Sequence, residues 1–301
     1  MSLMNGINET KKRLSESRPA LYAFITVALS MLSVVVISYL VQSLGSIAVM
    51  AAKGSVSPKD FNNIGETASN LLTLLGYLFV LLIYFRIYGK EITPAFFSAK
   101  GTGKGILMLW SVLIINAVTL LFVLMDQGEL GSVWMALLLG LTPGITEEIL
   151  CRIIPLSLVM RSPDRKKLML PAVTFTSLIF GICHIVNIFS GADPVTTLFQ
   201  VLYATGTGFL FGAVYIRTCN PWITIILHSM TDTIFFLRSD AQLSGGVLSQ
   251  STGSVDGIIL LIYAVLYFLN AYLVFRKNKD GGAEERWALI WKGKKEVSSR
   301  Q

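Results

Sequence analysis

An all-α, multi-pass membrane fold is predicted by three observations. The chain is 53% hydrophobic and only 14% charged, with a mean hydropathy of +0.64, too apolar for an ordinary soluble domain. Eight apolar runs, at about residues 20–42, 70–88, 105–125, 132–160, 168–189, 195–216, 221–237 and 256–275, approach or exceed the roughly 20 residues that cross a bilayer. The loops between them alternate in charge as the positive-inside rule requires. These observations predict one integral-membrane domain over residues 1–301, with eight transmembrane helices and both termini cytoplasmic.

The polar residues 1–19 carry Lys11, Lys12, Arg13 and Arg18 and form a cytoplasmic tail. The apolar run after them is longer than a signal-peptide core and has no clear small-residue cleavage site, so it reads as an uncleaved first span. The first outer loop holds Lys53 and Lys59, offset by Asp60 and Glu66. The inner loops carry Arg86, Lys90, Lys100 and Lys104, then Arg161, Arg165, Lys166 and Lys167, then Arg217. The later outer loops hold Asp126 and Glu129, then Asp193, then Arg238, Asp240 and Asp256. The loop from Lys90 to Lys104 sets Pro94, Phe96 and Phe97 between lysines, a pattern suited to resting on the membrane surface. The sixth span contains Thr205, Gly206, Gly208 and Gly212, which suit close helix packing. Asn116 and Asn187 read as interhelical hydrogen-bonding groups. The tail 277–301 is charged but includes Trp287, Leu289, Ile290 and Trp291. It reads either as an interfacial helix with tryptophan anchors or as a disordered tail. The net charge of +7 lies mostly beside spans, which points to membrane orientation and away from nucleic acid. Three scattered cysteines, Cys151, Cys183 and Cys219, make neither a disulfide framework nor a CxxC metal site.

Chemistry enters with the polar groups inside the spans, each of which is costly there and is a functional-site hypothesis by default. The fourth span contains Glu147, Glu148 and Arg152; the fifth contains Phe180 and His184; the seventh contains His228 and Asp232. His184 and His228 are the only two histidines of the chain. Residues four apart share a helix face, so Glu148 faces Arg152, Phe180 faces His184 and His228 faces Asp232. Glu147 lies roughly 100° around the helix from Glu148. A carboxylate with two imidazoles suits hydrolysis: the glutamate takes a proton from water, one histidine orients that water and the other stabilises an oxyanion. The pairing with Arg152 assigns Glu148 a structural role and leaves Glu147 as the base. Pro143 and Gly144, just before the glutamates, suggest a loosened helix that admits water.

Glu147-Glu148-x-x-x-Arg152, Phe180-x-x-x-His184 and His228-x-x-x-Asp232 resemble, in that order and on separate helices, the three motifs of the CAAX protease and bacteriocin-processing family, also called CPBP or Abi. The resemblance covers about residues 130–237, which it identifies as the catalytic core. It implies an intramembrane, glutamate-dependent endopeptidase with Glu147, His184, His228 and Asp232 catalytic and with Glu148, Arg152 and Phe180 supporting. It implies a substrate that is a membrane-associated or lipidated peptide or protein, as in CAAX processing or in peptide and bacteriocin maturation. The third motif of the family ends in Asn or Asp. An ionised Asp cannot donate to an oxyanion, so Asp232 is expected to hold His228 in place. The family is often classed among metalloproteases. Zinc signatures of the His-Glu-x-x-His kind are absent here, so no cofactor is required by the residues. If zinc or another divalent metal is present, Glu147, His184 and His228 are its ligands. Short loops and the lack of an organelle signal suggest a bacterial cytoplasmic membrane. Two readings from other classes use the same buried charges: a non-catalytic immunity or scaffold protein, and a proton- or ion-coupled transporter.

Overall fold

The computed structural model describes residues 2–52, 54, 66–88, 101–125, 130–190, 192–238, 254–276 and 282–298. The expected membrane-surface loop around Pro94, Phe96 and Phe97 lies outside the described residues, as do the loop charges at Lys59, Asp126, Glu129 and Asp240. Among the described residues the fold is helical, with one isolated β-bridge, Leu130 to Arg238.

In chain order the helices are α1 (Ser2–Ser17), α2 (Pro19–Ala52), α3 (Glu66–Tyr88), α4 (Thr102–Ile106), α5 (Trp110–Met125), α6 (Val133–Glu148), α7 (Ile154–Met160), α8 (Arg165–Cys183), α9 (Pro194–Thr218), α10 (Trp222–Phe235), α11 (Ser254–Arg276) and α12 (Gly282–Ser298). Seven stretches are long and apolar enough to cross a membrane, which makes this a multi-pass membrane architecture: 19–52, 70–88, 102–125, 133–160, 165–189, 194–218 and 257–276. The region expected to be the seventh of eight spans is α10, only 14 residues long. At 1.5 Å per residue it covers about 21 Å, less than the roughly 30 Å of a hydrocarbon core. Its flanks extend it. Asn220, before α10, donates to Thr102 Oγ1 at 2.9 Å at one end of the bundle. Leu237, after it, accepts from the Gly131 N–H at 2.9 Å beside the start of α6.

The core forms around the stretch joining α6 to α7. Residues 149–160 are all buried, and α2, α3, α8 and α9 pack against them. Residues Ile149–Ile153 form a π-helical turn. The Ile154 N–H donates to the Ile149 carbonyl, five residues back, and Pro155 has no N–H to offer. The Leu150 carbonyl is thus left without either helical partner, and Ser30 Oγ stands 3.5 Å from it. A wide turn inside a helix is a frequent mark of a functional site, and this one begins at the residue after Glu148.

Helix α10 lies against α6 through small residues. A Cβ on Gly144 would fall 2.7 Å from the Ser229 nitrogen, and one on Gly140 would fall 2.5 Å from the Thr233 nitrogen. Gly144 therefore serves close helix approach, and α6 continues through Pro143 to Glu148. Of the two residues expected to loosen the helix and admit water, Gly144 is spent on packing against α10, while Pro143 lines the cavity described below. The sixth-span glycines pack as expected, with Gly208 on Ser177 of α8 and Gly206 on Ala264 of α11. Asn116 links α5 to α10 by donating to Thr231 Oγ1 at 2.9 Å, and Asn187 donates to Gln200 Oε1 at 3.0 Å.

Of the two readings of the C-terminal tail, residues 282–298 take the helical one, with both tryptophans buried against the protein where lipid-facing anchors were expected. This segment forms α12 and docks on the end of α9. Trp287 is completely buried, donates from Nε1 to the Ile216 carbonyl at 2.7 Å and meets the Tyr215 ring edge-on. Arg286 donates to the Arg217 carbonyl. The physical reason is the set of unpaired carbonyls that a helix C-terminus presents, which indole and guanidinium N–H groups satisfy.

Candidate active site

Three α-helices and one 3-10 turn deliver the polar groups. Glu147 and Glu148 end α6, Phe180 lies one turn before the end of α8, His184 begins the 3-10 turn His184–Ser190 that follows it, and α10 carries His228 at its middle and Asp232 one turn later, in its last turn. Because Gly140 and Gly144 bring α10 against α6, the His228 ring reaches both glutamates. Its Nδ1 is 2.7 Å from Glu148 Oε1, and its Nε2 is 3.8 Å from Glu147 Oε2 and 3.5 Å from Asp232 Oδ2. An ionised carboxylate only accepts, so Nδ1 carries a proton and donates it to Glu148.

Glu148 is therefore shared. The same Oε1 pairs with Arg152 Nη1. Both residues are excluded from the surface, at 0% and 1% exposure, which makes their pairing obligatory in this environment. The Arg152 guanidinium also lies over the Phe180 ring at 4.1 Å and near the Phe211 ring at 5.6 Å, the stacked arrangement that a planar cation favours. Asp232 was expected to hold His228. In the fold the Nδ1 of that ring belongs to Glu148, and Asp232 sits on the Nε2 side, along the same helix face.

Phe180 is the hub of the arrangement. Beyond its contact with Arg152, its ring meets His184 edge-on at 5.0 Å and His228 edge-on at 6.0 Å. The two histidines thus flank one aromatic ring. The Phe180 carbonyl is 2.9 Å from His184 Nδ1. A carbonyl can only accept, so this nitrogen donates, and in the neutral ring Nε2 is an acceptor.

Glu147 points away from the Glu148–Arg152 pair. It lines a cavity of about 410 Å³ together with Phe180, His184, His228 and Asp232, the kind of concave, mostly apolar space with a few converging polar groups that holds small ligands. Glu147 Oε1 accepts a hydrogen bond from the Tyr77 hydroxyl of α3 at 3.4 Å. Tyr77 was not among the residues singled out from the sequence. One tyrosine among ten carries no local signal, although its place on an inward stripe with Val80 and Tyr84, both buried, is a helical periodicity that could have found it.

Among the described residues, no group of three or more His, Cys, Asp and Glu side chains is arranged to hold a metal ion. Both imidazoles have Nδ1 engaged by an oxygen, as in many metal sites, and oxygens of Asp232 and Glu147 stand 3.5 and 3.8 Å from His228 Nε2.

Residues 129–234 match the family model described as Type II CAAX prenyl endopeptidase Rce1-like. The matched segment contains all seven motif residues, from Glu147 to Asp232. No curated protein and no solved structure matches the chain.

Proposed function

We propose, from the membership of residues 129–234 in the Rce1-like family of CAAX-type proteases, that the chain is a glutamate-dependent intramembrane endopeptidase. The observation that carries this reading is the convergence of Glu147, His184 and His228 on one cavity within the helical bundle. A water between Glu147 and His184 Nε2 meets two acceptors, one for each proton. Its oxygen attacks the scissile carbonyl carbon while Glu147 accepts a proton. The carbonyl oxygen gains the negative charge. His228, oriented through Nδ1 by Glu148, presents Nε2 to it and, in the protonated ring, donates a hydrogen bond. The C–N bond then breaks, and the proton held by Glu147 passes to the leaving amine. Asp232, beside the same nitrogen, balances the charge of the protonated imidazole. The substrate is a membrane-associated or lipidated peptide, because the cavity lies among helices that face lipid. Mass spectrometry of cell peptides, with wild-type protein against Glu147→Gln, identifies it. Identical peptide profiles from the two overturn the protease reading and favour a binding or transport role.

The bundle has eight crossings in this reading, with α10 as a short crossing shielded by its neighbours, and both termini are cytoplasmic. Arg161, Arg165, Lys166 and Lys167 form the clearest inner cluster. Reporter fusions after residues 128, 165 and 280 are expected to read outside, inside and inside. An outside signal after residue 280 breaks the even count.

Turnover is expected without a tightly bound metal, since only three plausible ligands exist, Glu147, His184 and His228, and none is part of a zinc signature. Elemental analysis of purified active protein checks this. Stoichiometric zinc, with activity lost on chelation and recovered on re-addition, reverses it.

A further inference from the structure

We propose that Tyr77 is a positioning residue for the catalytic carboxylate, an inference that rests on the reading of Glu147 as general base. Its hydroxyl lies 3.4 Å from Glu147 Oε1. The carboxylate has no proton to give, so tyrosine is the donor. Glu147 Oε2 is the oxygen that faces His228 Nε2, at 3.8 Å. The hydrogen bond thus divides the carboxylate: Oε1 is held by α3, and Oε2 is presented to the reacting water. A glutamate side chain turns about three bonds, and without an anchor it samples rotamers that point Oε2 elsewhere in the cavity.

The position of Tyr77 is itself fixed from behind. The preceding residue, Gly76, lies directly on α2: a Cβ there would stand 2.6 Å from the Ser38 Cα. Helices α2 and α3 therefore meet backbone to backbone next to Tyr77. The neighbouring Thr73 and Leu74 line the same cavity wall. Tyr77 also packs partly buried against the main core. None of these residues falls within 129–234, the segment that carries the family match, so the site draws on a helix that the motifs do not reach. A second buried tyrosine on the same helix, Tyr84, has its hydroxyl 3.2 Å from Ser33 Oγ and serves as a natural comparison.

The experiment measures kcat, KM and thermal stability for wild type, Glu147→Gln, Tyr77→Phe and Tyr84→Phe on one cleaved peptide. Tyr77→Phe keeps the ring and removes only the donor. It is expected to lower kcat about tenfold or more, with KM within about twofold of wild type and an unchanged melting temperature, because a misplaced reacting group costs rate at constant binding. Tyr84→Phe, which removes a hydroxyl on the same helix that bonds Ser33 and not Glu147, is expected to keep wild-type kcat. A Tyr77→Phe enzyme with wild-type kcat overturns the inference while leaving the base assignment intact, provided Glu147→Gln is dead. Equal losses of kcat in Tyr77→Phe and Tyr84→Phe also overturn it, since they mark a structural effect. A rise in KM alone assigns Tyr77 to substrate contact instead. An active Glu147→Gln enzyme removes the base assignment and this inference together.

Discussion

Glu147→Gln is expected to abolish peptide hydrolysis while leaving a folded protein. General-base catalysis is worth roughly 10²–10⁴-fold in rate, and the amide cannot accept the proton of the attacking water. The substitution disturbs little else. Among the described residues Glu147 makes no ion pair with an Arg or Lys, its side chain keeps 17% exposure, and its neighbours include the Tyr77 hydroxyl and the His228 ring. Glutamine preserves the shape, and its amide oxygen still accepts from Tyr77. Folded yield and melting temperature should therefore stay near those of wild type, with turnover near background. A well-folded Glu147→Gln protein with wild-type turnover would falsify the assignment of the base.

Substitutions at the Glu148–Arg152 pair are expected to act in the opposite order, on stability first. Both groups are excluded from the surface. Removing one partner of a buried pair leaves an uncompensated charge and typically costs about 3–5 kcal/mol. Arg152→Leu strands the Glu148 carboxylate, and Glu148→Gln strands a guanidinium whose Nε and Nη2 have no hydrogen-bond partner among the described residues. Each single variant should lose folded yield and melting temperature. Because Glu148 also fixes the Nδ1 proton of His228, activity should fall with any residual folded material. Arg152→Lys is not expected to rescue, since a compact ammonium cannot lie flat over Phe180 as the guanidinium does at 4.1 Å. The double variant Glu148→Gln with Arg152→Leu removes both charges, so its loss of stability should fall short of the sum of the two single losses by about 1–3 kcal/mol, the coupling seen for residues in direct contact. Strictly additive losses would show that the pair is not energetically coupled. A fully folded, inactive Glu148→Gln beside an active Glu147→Gln would exchange the roles of the two glutamates.

The same two glutamates mark the boundary between what was legible in the chain and what was not. The helical period gives the Glu148–Arg152 contact directly, because residues four apart share a face whatever packs against it. It also separates Glu147 from that face. It does not say what lies opposite either residue. The 2.7 Å contact of Glu148 with His228 joins residues 80 apart, and Tyr77 reaches Glu147 across 70 residues. The π turn had a local cause in Pro155, yet its effect on the carbonyl of Leu150 is answered by Ser30, 120 residues away. Gly144 shows the same limit: a glycine beside a proline is open to a loosening role or a packing role, and only the presence of Ser229 against it decides for packing.

By itself, then, the amino-acid order determined the helical membrane class, the apolar stretches able to span a bilayer, the three motifs and the face that each motif residue takes on its own helix. Those follow from hydrophobic length and from the 3.6-residue period, which are properties of one segment at a time. The tertiary structure alone decided that Glu148 rather than Asp232 holds Nδ1 of His228, that Phe180 touches Arg152 and both imidazoles, that Tyr77 reaches the cavity glutamate, and that the C-terminal helix seals the end of α9. Each of these depends on how closely two helices approach and in what register. That approach is set by small residues such as Gly76, Gly140 and Gly144 meeting a particular partner backbone, and no single helix carries that information.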